Sequence, residues 1–515
     1  MTPYEEVRDW ARLFLQHERQ SGIATTLQSI QEAVSKAVSM RVDGGFTDAD
    51  SEKLIGELES YYEHSIGRPS ALSTDEDDTW APWVSDRRGK IQWPFWERYK
   101  RYLQTEDLND AVLQRLETAT DDMLDFLGDP DRETEWDRRG LAVGLVQSGK
   151  TAHYIGVINK ALDAGYKLVV VITGFTESLR LQTQMRVEKG VLGYSQAREL
   201  ISGDDLAVDV GVGVIHPLPP NERPMSGTTQ RDDFRAPIAR SFAVHAAAAP
   251  LVFVVKKNAT VLKHLLNWAK NTGKQDSDGV PYVSGIPMLV IDDESDVGSV
   301  DTVGGVIDDA GEVDEDHNPS TINKQIRKLL TLFDQSSYIG YTATPFANVL
   351  IHDEGVVGVD QGLRIGKDLF PSNFIISLAS PTNHIGPSVI FGTATDGEEE
   401  REELPIVRNV TDSEVGDDPT DYWMPGSHRK DHIPRYRNKD EVPPSLEEAV
   451  LSFILVCAAR ELRGDGREHN SMLVHVTRFV NVQERVLNQI EALLQDIHSR
   501  LRNNTADRDL RGRLK

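Results

Sequence analysis

The 515-residue chain has one cysteine, and it has no apolar run near the roughly 20 residues that a membrane-spanning helix needs. A single cysteine excludes a disulfide within the chain, and Cys457, in the apolar stretch SFILVCAA, is expected to be a buried core thiol. The N-terminal sequence MTPYEEVRDWARLFLQHE is acidic and amphipathic, unlike the basic and apolar start of a signal peptide. These absences favour a cytoplasmic protein with no membrane contact.

Basic residues are also in the minority. The chain has 56 Lys and Arg against 82 Asp and Glu, which gives a net charge of −26. This balance argues against a protein that coats nucleic acid by bulk electrostatics. It still allows a local basic groove, so any DNA contact is expected at particular loops or through a partner.

Residues 1–130 are predicted to form a helical N-terminal domain. Thr2, Pro3 and Glu5 have the pattern of a capped helix start. Apolar side chains then recur one helical turn apart, at Val7, Trp10, Ala11 and Phe14. The aromatic stretch at 93–103 is interpreted as another packed helix, with core packing against the next domain favoured over ligand stacking.

From residue 131 short apolar runs alternate with helical patterns, which predicts an α/β domain over 131–391. The runs are LAVGLV, KLVVVIT, PLVFVV, PMLVID, SYIGYTA and NFIISLA. Strands this continuously apolar suit a parallel sheet with helices on both faces. Residues 297–320 are rich in Gly and Asp, and are interpreted as a mobile loop inside this domain.

Residues 392–444 are charged and Pro-rich, and they are interpreted as an insertion or linker. His428 and His432 in it have the spacing of ligands on one helix face, but a solvated basic patch is favoured over a metal site. Residues 445–515 then contain a long apolar helix, a predicted strand MLVHVT and another helix. This pattern indicates the start of a second α/β domain, too short for a closed core, so the chain is expected to stop early.

One segment carries phosphate-binding chemistry. Residues 144–151, GLVQSGKT, match G-x-x-x-x-G-K-[ST] and stand between a predicted strand and a predicted helix. In such a P-loop the backbone N–H groups point at a β-phosphate, helped by the positive end of the following helix. Lys150 would neutralise phosphate charge, and the Thr151 hydroxyl would ligate Mg²⁺. The ATP-binding residues predicted in this P-loop NTPase are Gly144, Gln147, Ser148, Gly149, Lys150 and Thr151.

The strand predicted at 288–291 is followed at once by the acidic run DDESD. Acids this close together repel one another unless a cation lies among them, and a magnesium ion would supply that cation. Asp293 would hold Mg²⁺, while Glu294 would orient and deprotonate the attacking water. A solvated acidic turn is the alternative, which the preceding apolar run and the P-loop disfavour.

Three motifs in this order resemble those of superfamily 2 helicases. Gly149-Lys150-Thr151 is the first, Asp293-Glu294-Ser295-Asp296 resembles the D-E-A-D box, and Thr342-Ala343-Thr344-Pro345 resembles the third motif. The stretches LAVGLVQSGKTAHY, GFTESLRLQTQMR, LVIDDESD and YIGYTATPFAN together resemble the Z-one branch of these ATPases. That branch accompanies bacterial restriction and phage-defence systems, including ATP-dependent endonucleases of the CglI and NgoAVII kind. The resemblance covers about 130–380 and, more loosely, 445–490.

The resemblance implies that ATP and Mg²⁺ bind between two RecA-like lobes. Residues 131–391 would be the first lobe, and 445–515 the start of a second, incomplete one. Thr342 and Thr344 would couple nucleotide state to lobe movement, with an ordinary strand-end turn as the alternative. The arginine finger of the second lobe has no counterpart before Lys515, so either the chain is a fragment or the finger comes from elsewhere; a fragment is favoured.

The resemblance also implies a double-stranded DNA translocase that works with a nuclease on a separate chain, in a hetero-oligomer. Residues 176–182 are similar to the T-R-E-L-A-x-Q element that touches the nucleic-acid backbone in that family, with its arginine and glutamate replaced. The contacts implied are Thr176, Arg180, Gln182 and Arg186. No nuclease signature stands out in the chain. The alternative functions are an ATP-switched assembly protein and, less favoured because of the T-A-T-P element, a small-molecule kinase.

Overall fold

The computed structural model of the chain describes most of it, with gaps. The described residues are 3–20, 27–40, 46–47, 50–51, 53–55, 58, 70–73, 80–106, 108, 110–145, 149–195, 208–219, 221–235, 249–301, 320–351, 358–378, 386–392, 404–415, 422–464 and 469–502. They form two compact units, Met1–Gly386 and Pro387–Lys515.

The first unit is built on a seven-stranded sheet. Its strands in chain order are β1 (Ser70–Ser73), β2 (Trp136–Val143), β3 (Leu168–Thr173), β4 (Leu251–Lys256), β5 (Met288–Asp293), β6 (Gln335–Thr342) and β7 (Phe374–Ser377). The order across the sheet is β1-β7-β2-β6-β5-β3-β4. Strands β2 to β7 are mutually parallel. The α/β fold and the six strands predicted for 131–391 are therefore confirmed.

Eight longer helices accompany the sheet among the described residues of this unit. They are α1 (Pro3–Gln20), α2 (Leu27–Ser39), α3 (Pro94–Thr105), α4 (Asp110–Phe126), α5 (Lys150–Ala164), α6 (Glu177–Val187), α7 (Ala259–Thr272) and α8 (Thr321–Leu332). Short helical turns lie at Val84–Arg87, Val212–Ile215 and Phe346–Val349, and a π-helical turn at Glu188–Leu192 continues α6. Three two-stranded sheets pair Tyr194–Ser195 with Val208–Asp209, Lys274–Gln275 with Pro281–Tyr282, and Gly358–Asp360 with Leu363–Ile365.

Alternate residues of the central strands enter two separate hydrophobic cores. In β3, Val169 and Val171 pack with α3, α4 and α5, while Val170 and Ile172 pack with α7 and α8. All of these β3 side chains are fully buried. Side chains alternate between the faces of a sheet, so these two cores mean that helices cover both faces, which explains why β3 is apolar from Leu168 to Ile172.

Helices α3 and α4 belong to the same core as the sheet, although the predicted domain boundary follows them at residue 130. Trp96 and Tyr99 of α3 are buried in that core, as the aromatic stretch predicted. Asp163, at the end of α5, accepts hydrogen bonds from the backbone N–H groups of Phe95 and Trp96, each at 2.9 Å. It therefore caps α3 from a neighbouring helix, because α3 has no side-chain cap of its own.

The expectation that residues 1–130 are helical throughout is wrong at β1. This strand, SALS, pairs antiparallel with β7, with Ser70 opposite Ser377. Its four residues, two serines around an alanine and a leucine, are too few and too mixed to indicate a strand; the pairing comes from the exposed edge that β7 offers. Helix α1 does follow the predicted pattern, since Val7 and Ala11 are buried and Trp10 and Phe14 pack against the same cluster, which α2 completes.

The second unit contains α9 (Pro444–Leu462), α10 (Val480–Arg502) and a short helix at Pro387–Ile390. The described part of the segment predicted as an insertion or linker forms turns and irregular chain, and packs Trp423 and Met424 against α10. The strand predicted at 472–477 is wrong, because no described residue pairs with it. Met472, Val474 and Val476 do face inward, so the period-two pattern is real, but a strand also needs a hydrogen-bonding neighbour.

Cys457 is half-buried, which corrects the expectation of a core thiol. Its Sγ accepts a hydrogen bond from Asn470 at 3.0 Å. The fully buried side chains of α9 are Val450 and Leu451, so its apolar middle stretch stays largely uncovered within this unit. Among the described residues, no helix combines the length and apolarity that crossing a membrane requires.

Candidate nucleotide site

The described residues of the predicted P-loop lie at the edge of the sheet where the parallel strands end. Gly144 follows β2, and its N–H donates to the carbonyl of Thr342 at the end of β6, at 3.0 Å. Gly149 precedes α5 with a φ of 93°, a left-handed conformation that suits a residue without Cβ. Gln147 and Ser148 lie outside the described residues. The predicted strand–loop–helix setting is thus present.

Lys150 is the first residue of α5, and its ammonium group contacts the backbone that directly follows β2. Nζ donates to the carbonyl oxygens of Gly144, at 2.9 Å, and Leu145, at 3.0 Å. Burial lowers the pKa of Lys150, and the charges of Asp293, Asp296 and Glu294 oppose this lowering. The lysine and the acidic turn therefore share one electrostatic environment.

The first acid of the turn, Asp292, is fully buried and has protein partners. Tyr338 of β6 donates its hydroxyl to Oδ2 at 2.7 Å. Oδ1 forms an ion pair with Lys257 at 3.0 Å, although the two groups are not aligned for a hydrogen bond. The sequence predicted Mg²⁺ alone as the cation that relieves the repulsion between these acids. For Asp292 the positive charge comes from the buried Lys257, which is the residue after β4.

Asp293 is half-buried, and no described residue forms an ion pair with its carboxyl group. Burial and then the neighbouring Glu294 raise the pKa of Asp293, and Lys257 and Lys150 act in the opposite direction. The hydroxyl of Tyr154 donates to Oδ2 at 3.5 Å. A cation beside Asp293 would lower its pKa and stabilise the ionised carboxylate.

Glu294 is exposed and has a left-handed backbone, with a φ of 55°. A non-glycine residue in that region costs about 1–3 kcal/mol and persists where its surroundings fix it. The carboxylate lies over Gly174, where an added Cβ would come 3.0 Å from Oε2. Glu294 therefore faces solvent at the sheet edge, in a conformation that its neighbours impose.

Asp296 connects the acidic turn to the T-A-T-P segment. Its two carboxylate oxygens accept hydrogen bonds from the hydroxyls of Thr342, at 2.8 Å, and Thr344, at 2.5 Å. The Thr342 hydroxyl also accepts from the backbone N–H of Thr344, at 2.9 Å. A displacement of the acidic turn would therefore be transmitted to the end of β6, as the predicted coupling role requires.

The four residues implied as nucleic-acid contacts differ in accessibility. Thr176 caps α6 through a bond from Leu179 N at 3.4 Å, and remains exposed. Arg180 is fully buried, donating to the carbonyls of Thr229 and Gln230. Its interior position is incompatible with a nucleic-acid contact, so this prediction needs correction.

Gln182 and Arg186 are the exposed members of the set on α6. Arg186 Nη1 donates to Thr151 Oγ1 at 3.0 Å. The implied nucleic-acid element therefore touches the hydroxyl that is predicted to bind magnesium.

The donor set fits a magnesium ion. A threonine hydroxyl and an aspartate carboxylate are oxygen ligands of the kind that Mg²⁺ takes from proteins beside phosphate oxygens and water. Burial and the neighbouring Glu294 raise the pKa of Asp293, and a cation beside the carboxylate would oppose both effects. Thr151 and Asp293 would hold the ion, and the Arg186 guanidinium would have to leave Thr151, because two positive groups would otherwise compete for one oxygen.

Sequence reasoning missed Lys257, Tyr338 and Tyr154. One signal for Lys257 was available: the run LVFVVKK places it just after an apolar strand. Parallel strands end at one edge of a sheet, so a lysine following β4 must lie on the same side as the acids that follow β5. Tyr338 had no such signal, because its contact with Asp292 depends on the order of the strands.

His428 and His432 form part of the packing of the second unit. His428 bonds to Pro425 O at 2.9 Å and to Thr477 Oγ1 at 2.6 Å, and His432 Nε2 bonds to Trp423 O at 2.9 Å. The favoured description as a solvated patch is therefore inaccurate for these two rings. In the parts of the chain that the structure covers, no cluster of three or more His, Cys, Asp or Glu residues could hold a metal ion.

Comparison with protein-family models gives a match in the C-terminal part of the chain. Residues 445–515 match the family model described as the Z1 domain. This domain is associated with helicase-like restriction and defence proteins. No curated protein matches the chain. The match falls on the segment where the sequence resemblance was looser, downstream of the P-loop unit.

Proposed function

We propose that the chain is an ATP-hydrolysing motor of the superfamily 2 helicase-like kind, acting on double-stranded DNA. The observation that carries the proposal is the convergence at one sheet edge of Lys150, Asp293 and Glu294. Asp296, bonded to Thr342 and Thr344, adds a physical link from this site to the end of β6. The groups that would bind the nucleotide, hydrolyse it and couple its state to β6 thus lie near one another, which supports a phosphoryl-transfer site.

The roles of the residues follow from their surroundings. Lys150 would exchange two neutral carbonyl acceptors for phosphate oxygens, which form stronger, charge-assisted bonds. Glu294, exposed beside Gly174, would accept a proton from the attacking water. Mg²⁺ held by Thr151 and Asp293 would neutralise charge on the phosphates.

DNA binding, the partner and the location are further parts of the proposal. The chain would translocate on double-stranded DNA in the cytoplasm, in a hetero-oligomer with a separate nuclease, as part of a bacterial restriction or phage-defence system. The Z1 match supports this setting. The net charge of −26 confines DNA contact to local surfaces. One such surface is offered by Gln182 and Arg186, which are exposed on α6 close to the nucleotide site.

An ATP-switched assembly protein is the second candidate function. It is supported by the same Asp296 link, because a nucleotide-dependent shift of the turn would serve partner assembly as well as movement along DNA. Such a protein would hydrolyse ATP at a rate that DNA does not change.

The test is steady-state ATP hydrolysis with and without double-stranded DNA. We expect DNA to stimulate the wild type. Glu294→Gln should lower kcat by about 10²–10⁴, the usual contribution of a general base, and keep nucleotide affinity. Glu97→Gln, an exposed glutamate of α3, is the matched control and should behave as the wild type. Hydrolysis that DNA leaves unchanged would favour the assembly protein, and normal turnover by Glu294→Gln would exclude the assigned base.

A further inference from the structure

Lys257 is a buried lysine that contacts the backbone of the acidic turn as well as a side chain. Its Nζ donates to the carbonyl oxygens of Asp293, at 2.9 Å, and of Glu294. The same ammonium lies 3.0 Å from Asp292 Oδ1. Its own backbone N–H donates to Thr173 O at 3.1 Å, which fixes the lysine to the end of β3. One side chain therefore contacts three consecutive residues of the turn.

These carbonyl bonds act where the backbone is strained. The carbonyls of Asp293 and Glu294 belong to the peptide groups on either side of Glu294, whose φ is 55°. The N–H of Ser295 donates to Tyr341 O at 3.1 Å, so β6 holds the turn from its other side. A left-handed glutamate persists when its surroundings over-determine it, and Lys257 supplies two of the bonds that do so.

Charge neutralisation alone does not account for this arrangement. Asp292 already accepts a hydrogen bond from Tyr338 at 2.7 Å. An ammonium group has three donors, and Lys257 directs two of them at backbone carbonyls rather than at the carboxylate. The lysine therefore has a second structural consequence, which is the orientation of the peptide groups that carry Glu294.

We propose that Lys257 is a positioning residue, which sets the direction of the Glu294 carboxylate toward the attacking water. This inference rests on the proposed function, since it assigns a role within the same hydrolysis site. Lys257 acts through Glu294 and does not itself touch the nucleotide. Its loss should reduce turnover while leaving nucleotide affinity nearly unchanged, because Lys150 and Thr151 keep their places.

The test separates positioning from charge pairing with three variants. Lys257→Met leaves Asp292 buried and unpaired, so it should lower both the unfolding temperature and kcat. Asp292→Asn keeps the carbonyl bonds and should keep kcat within about threefold of wild type. The double variant Lys257→Met/Asp292→Asn has no unpaired charge, so its unfolding temperature should recover. Its kcat should stay about 10–100-fold below that of Asp292→Asn, the size of effect expected from a misplaced catalytic group.

A second comparison uses Glu294→Gln as the background. Because Lys257 acts through Glu294, adding Lys257→Met to Glu294→Gln should reduce kcat no further, whereas independent effects would multiply. The dissociation constant of a fluorescent ATP analogue should remain within about threefold of wild type in all variants. Recovery of kcat in the Lys257→Met/Asp292→Asn variant would overturn the positioning role and leave the ATPase intact. Absence of hydrolysis by the wild type would overturn the ATPase itself, and the role of Lys257 with it.

Discussion

Among the described residues, the acceptors of the Lys150 ammonium group are two uncharged carbonyls, those of Gly144 and Leu145. Phosphate oxygens bind an ammonium more strongly, so removing it should cost most when nucleotide is present. We expect Lys150→Ala to raise the Kd for ATP at least about tenfold, equivalent to about 1.4 kcal/mol. Titration with a fluorescent ATP analogue measures this. Lys263→Ala, an exposed lysine on α7, should leave the Kd unchanged, and an equal loss in both variants would contradict the role of Lys150.

Residues that carry a local motif could be assigned from the sequence. Lys150, Asp293 and Glu294 each stand in a short pattern next to an apolar run, and the sheet places them together because parallel strands end at one edge. The run LVFVVKK places Lys257 at the same sheet edge, but its pairing with Asp292 could not be assigned, since Asp292 comes 35 residues later in the chain. The two residues meet because β3 is the one strand that lies between β4 and β5 in the sheet. Arg180 was misassigned because a pattern in the chain does not show which side of α6 is buried.

Helix α5 is joined to its neighbours by a buried histidine, and this gives a prediction at the scale of elements. His153 Nδ1 lies 3.0 Å from the Tyr341 hydroxyl of β6, and Nε2 lies 3.3 Å from Ala119 O of α4. A carbonyl only accepts, so Nε2 carries the proton and Nδ1 accepts from Tyr341. Burial is the main cause that lowers the pKa of His153 to about 4. The P-loop helix is therefore linked to both neighbours by a neutral imidazole.

The free energy of unfolding should consequently depend on pH. The unfolded histidine takes up a proton below about pH 6.5, while the folded one does so only near 4, so stability present above 6.5 is lost as the pH falls. The loss reaches about 3 kcal/mol at most. Urea unfolding between pH 7.5 and 4.5 measures it, and His153→Gln should flatten the dependence. His264→Gln, on α7, should retain it. A wild-type slope that persists in His153→Gln would assign the effect to other groups.

Strand prediction succeeded where the apolar pattern and the hydrogen-bonding partners agree. Strand β3 is apolar from Leu168 to Ile172 because both faces are covered, and its partners β4 and β5 lie on either side. The run MLVHVT has the alternation of a strand, but no described residue pairs with it. Strand β1 has a hydrogen-bonding partner but no apolar pattern, because it adds to the exposed edge of β7, some 300 residues later in the chain. Pairing between distant segments is a property of the fold that a local pattern cannot show.

For the whole molecule, the charge distribution decides how nucleic acid could bind. A net charge of −26 repels DNA at long range, so binding would require a few favourable contacts that outweigh it. In the first unit the P-loop edge carries Lys150 and exposed Arg186, and α6 also presents Gln182. In the second unit the matched Z1 segment begins within α9. The number of phosphates that the protein neutralises should therefore be small, and it can be measured through salt.

Arg186 gives the sharpest form of that measurement. Each phosphate contact that a basic residue makes contributes about one to the slope of log affinity against log salt concentration. We expect Arg186→Ala to reduce this slope by about one for double-stranded DNA and to weaken binding at low salt. Lys274→Ala, an exposed lysine in a small two-stranded sheet, should leave the slope as in the wild type.

The slope is measured by fluorescence anisotropy, without nucleotide and with a non-hydrolysable ATP analogue plus Mg²⁺. Arg186 bonds Thr151 in the nucleotide-free protein, so its contribution should be larger when the metal site is filled. An unchanged slope in Arg186→Ala under both conditions would remove α6 from the DNA interface.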